Sequence, residues 1–281
     1  MKRLIHLSDL HFGRDRPQLL EPLVAAVNGI GADLVAISGD LTQRATSEQY
    51  RAARRFIDEI DAPVLCVPGN HDTPLHNFPE RVLRPWRRYR KYISEELEPQ
   101  VHHPEMSVIG INSVNNLGWQ RGWFSRRAMR KVCRGFANVN PHAFRLVVVH
   151  HPLEHLPGER KRLTRGANKA IRELSRCGTD IVLSGHLHSW RADTFATRAA
   201  DRHVLSVQAG TGLSNRVRGE PNDFNLLLMQ DDEVQVERFA TDGDSLAFAR
   251  SDCVRFRKID GSWRGLQKED SAIAEREARD V

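Results

Sequence analysis

The seven residues Leu-Val-Ala-Ile-Ser-Gly-Asp at positions 34–40 decide the fold class. A short, β-rich apolar run ends here in a glycine and a carboxylate. Before it, residues 19–30 place apolar side chains at three- and four-residue spacing, as a helix that covers a sheet does. In open α/β sheets the carboxyl ends of the strands open onto the ligand crevice. The stretch therefore predicts a βαβ unit with polar chemistry at the end of its strand.

The same alternation of strands and helices continues along the chain, which is typical of an α/β protein. Strands are predicted at residues 4–7, 34–38, 64–68, 108–112, 146–150 and 181–184. Helices are predicted at residues 19–30, 50–60, 82–93, 128–136 and 170–177. Thr46 and Gln49 fit a capping box at the start of the second helix.

The pattern changes after Gly185, where short alternating runs are separated by turn residues. We expect these runs to form antiparallel strands that complete a second sheet. With no linker or internal repeat in view, residues 1–262 are predicted to form one domain. Residues 263–281 are highly charged and are predicted to form a surface helix or a frayed tail.

Composition narrows the class of protein further. The chain has 281 residues, of which 40% are hydrophobic and 28% charged, and its net charge of +6 favours an anionic partner. It contains neither the roughly 18 apolar residues of a membrane span nor the apolar core of a signal peptide. The four cysteines form no CxxC pair, so we expect neither a disulfide framework nor a thiolate metal site, and the expected location is the cytoplasm.

Short polar clusters stand where five of the apolar runs end. They are Asp9-Leu10-His11, Gly39-Asp40, Gly69-Asn70-His71-Asp72, His150-His151-Pro152 and Gly185-His186-Leu187-His188. Together they offer two carboxylates, one amide oxygen and four imidazoles, a donor set that suits Mn, Fe, Zn or Ni. Two ions about 3.5–4 Å apart that share a carboxylate would use all seven ligands. The sequence therefore predicts a site for two divalent metal ions, with Asp40 as the natural bridge.

These motifs, DxH, GD, GNHD, HH and GHxH in that order, resemble the pattern of the calcineurin-like metallophosphoesterase superfamily. The resemblance covers Asp9 to His188. It implies a four-layer α/β/β/α sandwich of two mixed sheets flanked by helices. It also implies two groups of metal ligands: Asp9, His11, Asp40 and His188 around one ion, and Asp40, Asn70, His150 and His186 around the other.

The residues around Gly39–Gln43 and Glu48–Tyr50 look most like the cyclic-nucleotide and glycerophosphodiester phosphodiesterase branch. The resemblance implies direct attack on a small anionic phosphodiester by a hydroxide that bridges two Mn, Fe or Zn ions. His71 would face the substrate and stabilise the transition state or protonate the leaving alcohol. Asp72 is the second predicted catalytic residue, with a role in orienting the site that it shares with His151.

Predicted substrate contacts include two basic loops as well as Asn70 and His71. Arg165 is singled out from the loop at residues 160–165, and Arg216 from the loop at residues 215–218. Arginines also accompany aromatic residues at positions 81–92 and 119–134, where they could bind nucleic acid, attract anionic lipid or form solvated helix faces. The alternative functions are therefore a nuclease, a nucleotide-sugar lipid pyrophosphatase, or a noncatalytic interaction module on the same fold.

Overall fold

The protein is described by a computed structural model over residues 1–75, 77–118, 120–154, 159, 162–195, 203–242 and 246–266. The strands are β1 Lys2–Leu7, β2 Leu34–Ile37, β3 Val64–Cys66, β4 Gln100–His102, β5 Met106–Ile111, β6 Phe144–Val149, β7 Ile181–Ser184, β8 Arg191–Thr194, β9 Leu205–Gln208, β10 Asp223–Gln230, β11 Glu233–Thr241, β12 Phe248–Ile259 and β13 Ser262–Gly265. The α-helices are α1 Leu20–Ile30, α2 Ser47–Asp58, α3 Phe78–Leu83, α4 Arg87–Tyr92, α5 Arg126–Phe136 and α6 Ala167–Arg176. Among the described residues, no helix combines the length and apolar character needed to cross a membrane.

The strands form two mixed sheets. The first has the order β13-β12-β11-β10-β1-β2-β3, and the second has the order β4-β5-β6-β7-β9-β8. In each sheet a parallel group, β1-β2-β3 or β5-β6-β7-β9, carries the predicted βαβ units. Parallel strands point the same way, so their carboxyl ends lie at one edge of each sheet.

The prediction that the strands after Gly185 complete a second sheet is wrong for most of them. β10 pairs antiparallel with β1, with Leu4 opposite Leu227, and β11 to β13 extend the first sheet from there. Of the described strands after Gly185, β8 and β9 alone join the second sheet, where β9 runs parallel to β7. The error has a physical reason: alternation shows that a segment is a strand, but its partner is chosen by contacts far away in sequence.

Three apolar cores separate four layers. Leu4 of β1 and Leu146 of β6 pack together between the two sheets. Their neighbours along the strands face outward: Ile5 packs beneath α1, α2 and α4, and Val147 packs beneath α5 and α6. Because successive strand residues alternate between faces, both faces of the parallel strands are apolar and buried. This is the expected α/β/β/α sandwich.

Two local details differ from the helix predictions. The predicted helix at residues 82–93 is divided into α3 and α4, because Pro85 disfavours helical geometry at Arg84, whose φ and ψ are −144° and 51°. At α2 only one half of the capping box forms: Thr46 accepts a hydrogen bond from the backbone N–H of Gln49. The Gln49 side chain instead accepts a hydrogen bond from the backbone N–H of Arg44.

The C-terminal boundary also differs from the prediction. Residues 262–265 form β13, and Trp263, the first residue of the predicted charged tail, is buried between the sheets. Its indole Nε1 donates to Asp180 Oδ1 at 3.1 Å. The boundary at residue 262 therefore falls inside a hairpin, because one large aromatic side chain outweighs the charge of its neighbours. The rest of the predicted tail, residues 267–281, lies outside the described residues.

One pair of cysteines contradicts the expectation drawn from their spacing. Cys133 of α5 and Cys177 at the end of α6 form a disulfide, with 5.0 Å between their Cα atoms. The two residues are 44 positions apart in the sequence, so no short motif indicates the pair. They meet because the two helices pack against the same sheet. Cys66 and Cys253 are free thiols. The cytoplasmic location, which rested partly on unpaired cysteines, stays a prediction.

Candidate metal centre

The strand ends bring the predicted ligands together. Asp9 and His11 follow β1, Asp40 follows β2, Asn70 follows β3, His150 follows β6, and His186 and His188 follow β7. Backbone hydrogen bonds join these turns: the Asp9 N–H donates to Gly39 O at 3.1 Å, and the Gly185 N–H donates to His150 O at 3.1 Å. The first bond joins the turns that follow β1 and β2 in the first sheet. The second bond joins the turns that follow β6 and β7 in the second sheet.

The backbone at these turns is strained. Eight described non-glycine residues have positive φ, and five of them are predicted ligands: Asp9, His11, Asp40, His186 and His188. A left-handed conformation is unfavourable for residues with a Cβ and persists only where the surroundings enforce it, often at functional sites. Here it turns the side chains of successive polar residues towards one point.

The first ligand group surrounds Asp9. The Nε2 atom of His188 lies 3.2 Å from Asp9 Oδ1 and 3.2 Å from His11 Nε2. His11 Nε2 is 3.5 Å from the same carboxylate oxygen. These three donor atoms lie close enough together to surround a single ion.

The second ligand group surrounds His150. Its Nε2 atom lies 3.2 Å from Asn70 Oδ1 and 3.3 Å from His186 Nδ1. Asp40 stands between the two groups, because its Oδ2 atom is 3.6 Å from His11 Nε2 and 3.4 Å from His150 Nε2. All seven predicted ligands are thus in one buried cluster.

The carboxylate of Asp9 has one oxygen committed to the protein and one left for a ligand. Oδ2 accepts hydrogen bonds from Ser8 Oγ at 2.6 Å and from the His186 backbone N–H at 2.8 Å. Oδ1 is buried and has no hydrogen-bond partner in the structure. An unpartnered buried carboxylate oxygen is costly, and a cation at this position would satisfy it.

A chain of buried hydrogen bonds supports Asp9 from behind. The Asn225 amide lies 3.3 Å from His6 Nδ1, and His6 Nε2 lies 2.9 Å from Ser38 Oγ. Ser38 donates in turn to Ser8 at 2.9 Å, and Ser8 donates to Asp9. Burial lowers the pKa of His6 to about 3, so its imidazole is neutral and can accept at one nitrogen and donate at the other. None of the sequence motifs indicates this series of hydrogen bonds, although Ser8 and Ser38 stand beside the ligands.

Backbone carbonyls orient two of the imidazoles. His150 Nδ1 donates to Ser38 O at 2.8 Å, and His188 Nδ1 donates to Arg216 O at 2.9 Å. Each bond holds a proton on Nδ1 and turns Nε2 towards the cluster, so Nε2 is the nitrogen that would bind a metal, as in known histidine ligands of metals. The donor set, its orientation and the unpartnered Asp9 oxygen therefore all fit divalent metal ions.

Electrostatics of the cluster favour positive charge. Burial opposes ionisation of Asp9 and Asp40, but the surrounding imidazoles outweigh it and hold the pKa of both carboxyls well below the ordinary value. Burial likewise opposes a charge on His150, yet Asp40 and Asp9 raise its pKa to about 9. The two buried carboxylates thus favour positive charge on the groups around them.

The two predicted catalytic residues occupy different positions. His71 is half-buried; its backbone N–H donates to Asp40 Oδ1 at 2.8 Å, and its ring lies edge-on to His11. Asp72 is fully buried and accepts hydrogen bonds at 2.9–3.1 Å from the backbone N–H groups of Leu41, Thr42 and Gly69 and from the Thr42 hydroxyl. Asp72 therefore braces the turns that carry Asp40 and Asn70, while His71 borders the ligand cluster.

Of the two predicted arginines, Arg216 reaches the centre. Its Nη1 atom lies 3.3 Å from His71 Nε2 and 3.4 Å from Gln43 Oε1. The Arg165 guanidinium instead lies over the Trp123 ring, 5.3 Å from its centroid, and makes no described contact with a predicted ligand. Arg160 and Lys161 lie outside the described residues.

His151 lies next to the second ligand group. Its Nδ1 atom is 2.7 Å from Ser113 Oγ, and its ring centroid is 4.7 Å from that of His186. Ser113 is therefore a supporting residue of the centre. Its place at the end of β5, a strand parallel to β6, is the signal that could have identified it.

Comparison with protein families settles the classification. A family model described as calcineurin-like phosphoesterase matches residues 2–190, which include all seven predicted ligands. The chain belongs to the calcineurin-like phosphoesterase family. The resemblance drawn from the five motifs is thereby confirmed.

Curated relatives are distant. The chain is 24% identical over 225 residues to the UDP-2,3-diacylglucosamine pyrophosphatase of Chlamydia muridarum, covering 66% of this chain and 63% of the relative. It is 24% identical over 186 residues to a probable glycerophosphodiester phosphodiesterase of Arcobacter nitrofigilis, covering 62% of this chain and 65% of the relative. A probable cyclic nucleotide phosphodiesterase of Vesicomyosocius okutanii is also 24% identical, over 156 residues, covering 53% of this chain and 61% of the relative. The chain thus spans less than two thirds of the length of these relatives.

Solved structures share the fold at low identity. The purple acid phosphatase PPD1 from yellow lupin aligns with a TM-score of 0.64 at 12% identity, covering 90% of this chain and 53% of that chain. GAP50 of Plasmodium aligns with a TM-score of 0.57 at 12% identity, covering 93% and 90%. These likenesses confirm the predicted α/β sandwich.

Proposed function

We propose that the protein is a phosphoric ester hydrolase that uses two divalent metal ions, Mn, Fe or Zn, and cleaves a small anionic phosphodiester. The observation that carries the proposal is the position of Asp40 Oδ2, which lies 3.4 Å from an imidazole of one ligand group and 3.6 Å from an imidazole of the other. A carboxylate between two ligand groups is what a pair of metal ions requires as a bridge.

The ligands would be divided as the family pattern implies. Asp9, His11 and His188 would hold one ion, Asn70, His150 and His186 the other, and Asp40 both. Two bound divalent cations would neutralise the charge of a phosphate, and they would also make a nucleophile available at neutral pH.

The chain's own residues would position the ester. His71 and Arg216 lie in contact beside the cluster, so a phosphate there would meet an arginine and an imidazole together. The guanidinium offers donors to phosphate oxygens, and the imidazole can move a proton at Nε2 once a substrate separates it from Arg216. Asp72 would keep the turn of Asn70 and His71 in place without touching the substrate.

The phosphodiesterase names of two relatives support a diester as the substrate class, whether a cyclic nucleotide or a glycerophosphodiester. The pyrophosphatase from Chlamydia muridarum supports a second candidate, cleavage of a nucleotide-sugar lipid pyrophosphate at the same centre. The complete ligand set argues against a noncatalytic module, which has no need of five strained polar residues around an unpartnered carboxylate oxygen.

The test is hydrolysis of bis(4-nitrophenyl) phosphate by protein reconstituted with Mn, followed by a panel of cyclic nucleotides, glycerophosphodiesters and nucleotide pyrophosphates. Asp40→Ala should abolish turnover together with metal content. His71→Gln should keep the metal and lower turnover by about 10²–10⁴-fold, the usual contribution of a proton-transfer group. Full activity of Asp40→Ala, or no turnover of any ester by the metal-loaded wild type, would contradict the proposal.

A further inference from the structure

Exposed apolar side chains cluster on α3 and on the loop that follows β5. Leu83 is 78% exposed, Leu117 75% and Phe78 65%, and Val82 and Trp123 are exposed as well. We call these five residues the apolar face. They make up most of the large exposed apolar side chains in the described part of the chain. Single exposed apolar residues are ordinary, but a group of them indicates a contact surface.

Arg81 joins the two segments of the apolar face. Its side chain is buried beneath α3, where Nε donates to Asn116 O at 2.8 Å and Nη2 donates to Gly118 O at 3.1 Å. These two carbonyls stand on either side of Leu117. The leucine is therefore presented to solvent beside α3 by a fixed turn.

The far end of the same loop reaches the metal centre. Gly122 packs so closely on His151 that an added Cβ would meet its imidazole ring, and His151 in turn contacts His186. The backbone N–H of Trp123 donates to Ser113 O at 2.8 Å, which holds this end of the loop beside β5. The apolar face is thus continuous along the chain with the rim of the candidate site.

The apolar face lies within the most basic part of the chain. Residues 78–134 contain twelve Lys and Arg against five acidic residues, whereas the rest of the chain has 30 basic and 31 acidic residues. Essentially all of the net positive charge is therefore in this segment. Trp86 and Arg90 of the α4 region share a depression with Arg127 and Lys131 of α5, so the two basic stretches adjoin in space. Glutamates 95, 96 and 98 also line it, and Glu98 pairs with Lys131 at 3.1 Å.

We propose that the apolar face, together with exposed arginines of the two basic stretches such as Arg90 and Arg127, docks the protein on an anionic lipid bilayer. A bilayer accepts both components: exposed leucine and phenylalanine enter the boundary of the acyl chains, while arginines bind the anionic headgroups. A nucleic acid would use the arginines but gives aliphatic side chains such as Leu83 and Leu117 nothing to contact. The loop that carries Leu117 would then connect the docked face to the residues that pack on His151 beside the candidate site.

The test measures binding, not turnover, so its outcome does not depend on the proposed phosphodiesterase activity. Wild-type protein is sedimented with vesicles of phosphatidylglycerol and phosphatidylcholine in equal parts, and with vesicles of phosphatidylcholine alone. We expect sedimentation with the anionic vesicles, weaker sedimentation as salt screens the headgroups, and little with the neutral vesicles. The double variant Leu83→Ser/Leu117→Ser should bind at least tenfold more weakly, since burial of one leucine is worth about that factor.

Two matched variants make the result specific. Val217→Ser/Ile259→Ser removes exposed apolar side chains elsewhere on the surface and should bind like wild type. Arg127→Gln/Arg130→Gln removes two exposed charges of α5 and should reduce binding to the anionic vesicles alone. Equal binding by the two apolar double variants, equal binding to both kinds of vesicle, or salt-sensitive binding of an oligonucleotide without vesicle binding would overturn the proposal.

Discussion

Gly69 offers a sharp test of how the ligand cluster is assembled. Its φ and ψ are −104° and 179°, an extended conformation that alanine adopts freely, so Gly69→Ala carries little conformational cost. The added Cβ would, however, collide with the backbone N and the Oδ1 atom of Asp40 and lie 2.8 Å from Asp40 Cγ. The substitution therefore acts on the predicted bridging ligand without changing any ligand.

The size of the effect follows from that contact. Asp40 must move by about an ångström to restore ordinary separation, and a displacement of this size in an active site costs about 10²-fold in rate. Crowding in a packed interior also lowers the free energy of unfolding by about 1–3 kcal/mol. We expect Gly69→Ala to fold, to bind less metal and to hydrolyse bis(4-nitrophenyl) phosphate about 10²-fold more slowly than wild type.

The control is Gly29→Ala in α1, where nothing lies within 4 Å of the new Cβ. Alanine in a helix raises the free energy of unfolding by about 0.5–1 kcal/mol over glycine and should leave turnover unchanged. Metal content by mass spectrometry, turnover and urea unfolding are measured on both variants. Wild-type metal content and turnover in Gly69→Ala would refute the close contact between Gly69 and Asp40.

Three further predictions concern the fold. Trp263→Ala should lower the free energy of unfolding by about 3–5 kcal/mol, because it empties a buried aromatic site. Arg264→Ala, at an exposed neighbouring position, should change the free energy of unfolding little. Equal stability of the two variants in urea would show that Trp263 is not part of the core. Cys133→Ser/Cys177→Ser should cost about 2–4 kcal/mol, and a thiol titration of denatured wild type should find two free thiols, not four. Burial raises the pKa of Asp223 to about 6 despite Arg238, so the folded state holds this proton more tightly than the unfolded state, whose pKa is near 3.8. The free energy of unfolding of wild type, relative to that of Asp223→Asn, should therefore fall by about 3 kcal/mol as the pH rises from about 4 to about 6, and it should stay level above pH 6. Urea titrations that show the same difference in free energy between the two proteins at every pH in this range would contradict the burial effect.

The clustering of the candidate metal ligands could be predicted because its information is local in sequence. Asp9 and His11, or His186 and His188, stand two residues apart directly after an apolar run, and strands of one parallel group end at one edge. Strand ends and ligand chemistry are both visible in such a short segment. The family and the layered fold followed from the same motifs and are confirmed.

The support of the centre could not be predicted, because it depends on pairs far apart in the chain. His6 reaches Asp9 only through Ser38 and Ser8, and Arg216 meets His71 across 145 positions. Arg165 and Arg216 look alike in the sequence as basic loop residues, but only Arg216 contacts the cluster. Where a loop side chain points is decided by what packs against it.

The sequence by itself determined the kind of chemistry that this protein can hold: oxygen and imidazole ligands at the ends of buried strands, with glycine at the turns. The tertiary structure alone decided that β10 to β13 join the first sheet, that Cys133 meets Cys177, and that Trp263 belongs to the core. The physical reason is the range of the forces involved. Periodicity and turn chemistry act over a few residues, whereas strand partners and buried contacts are selected among all segments of the folded chain at once.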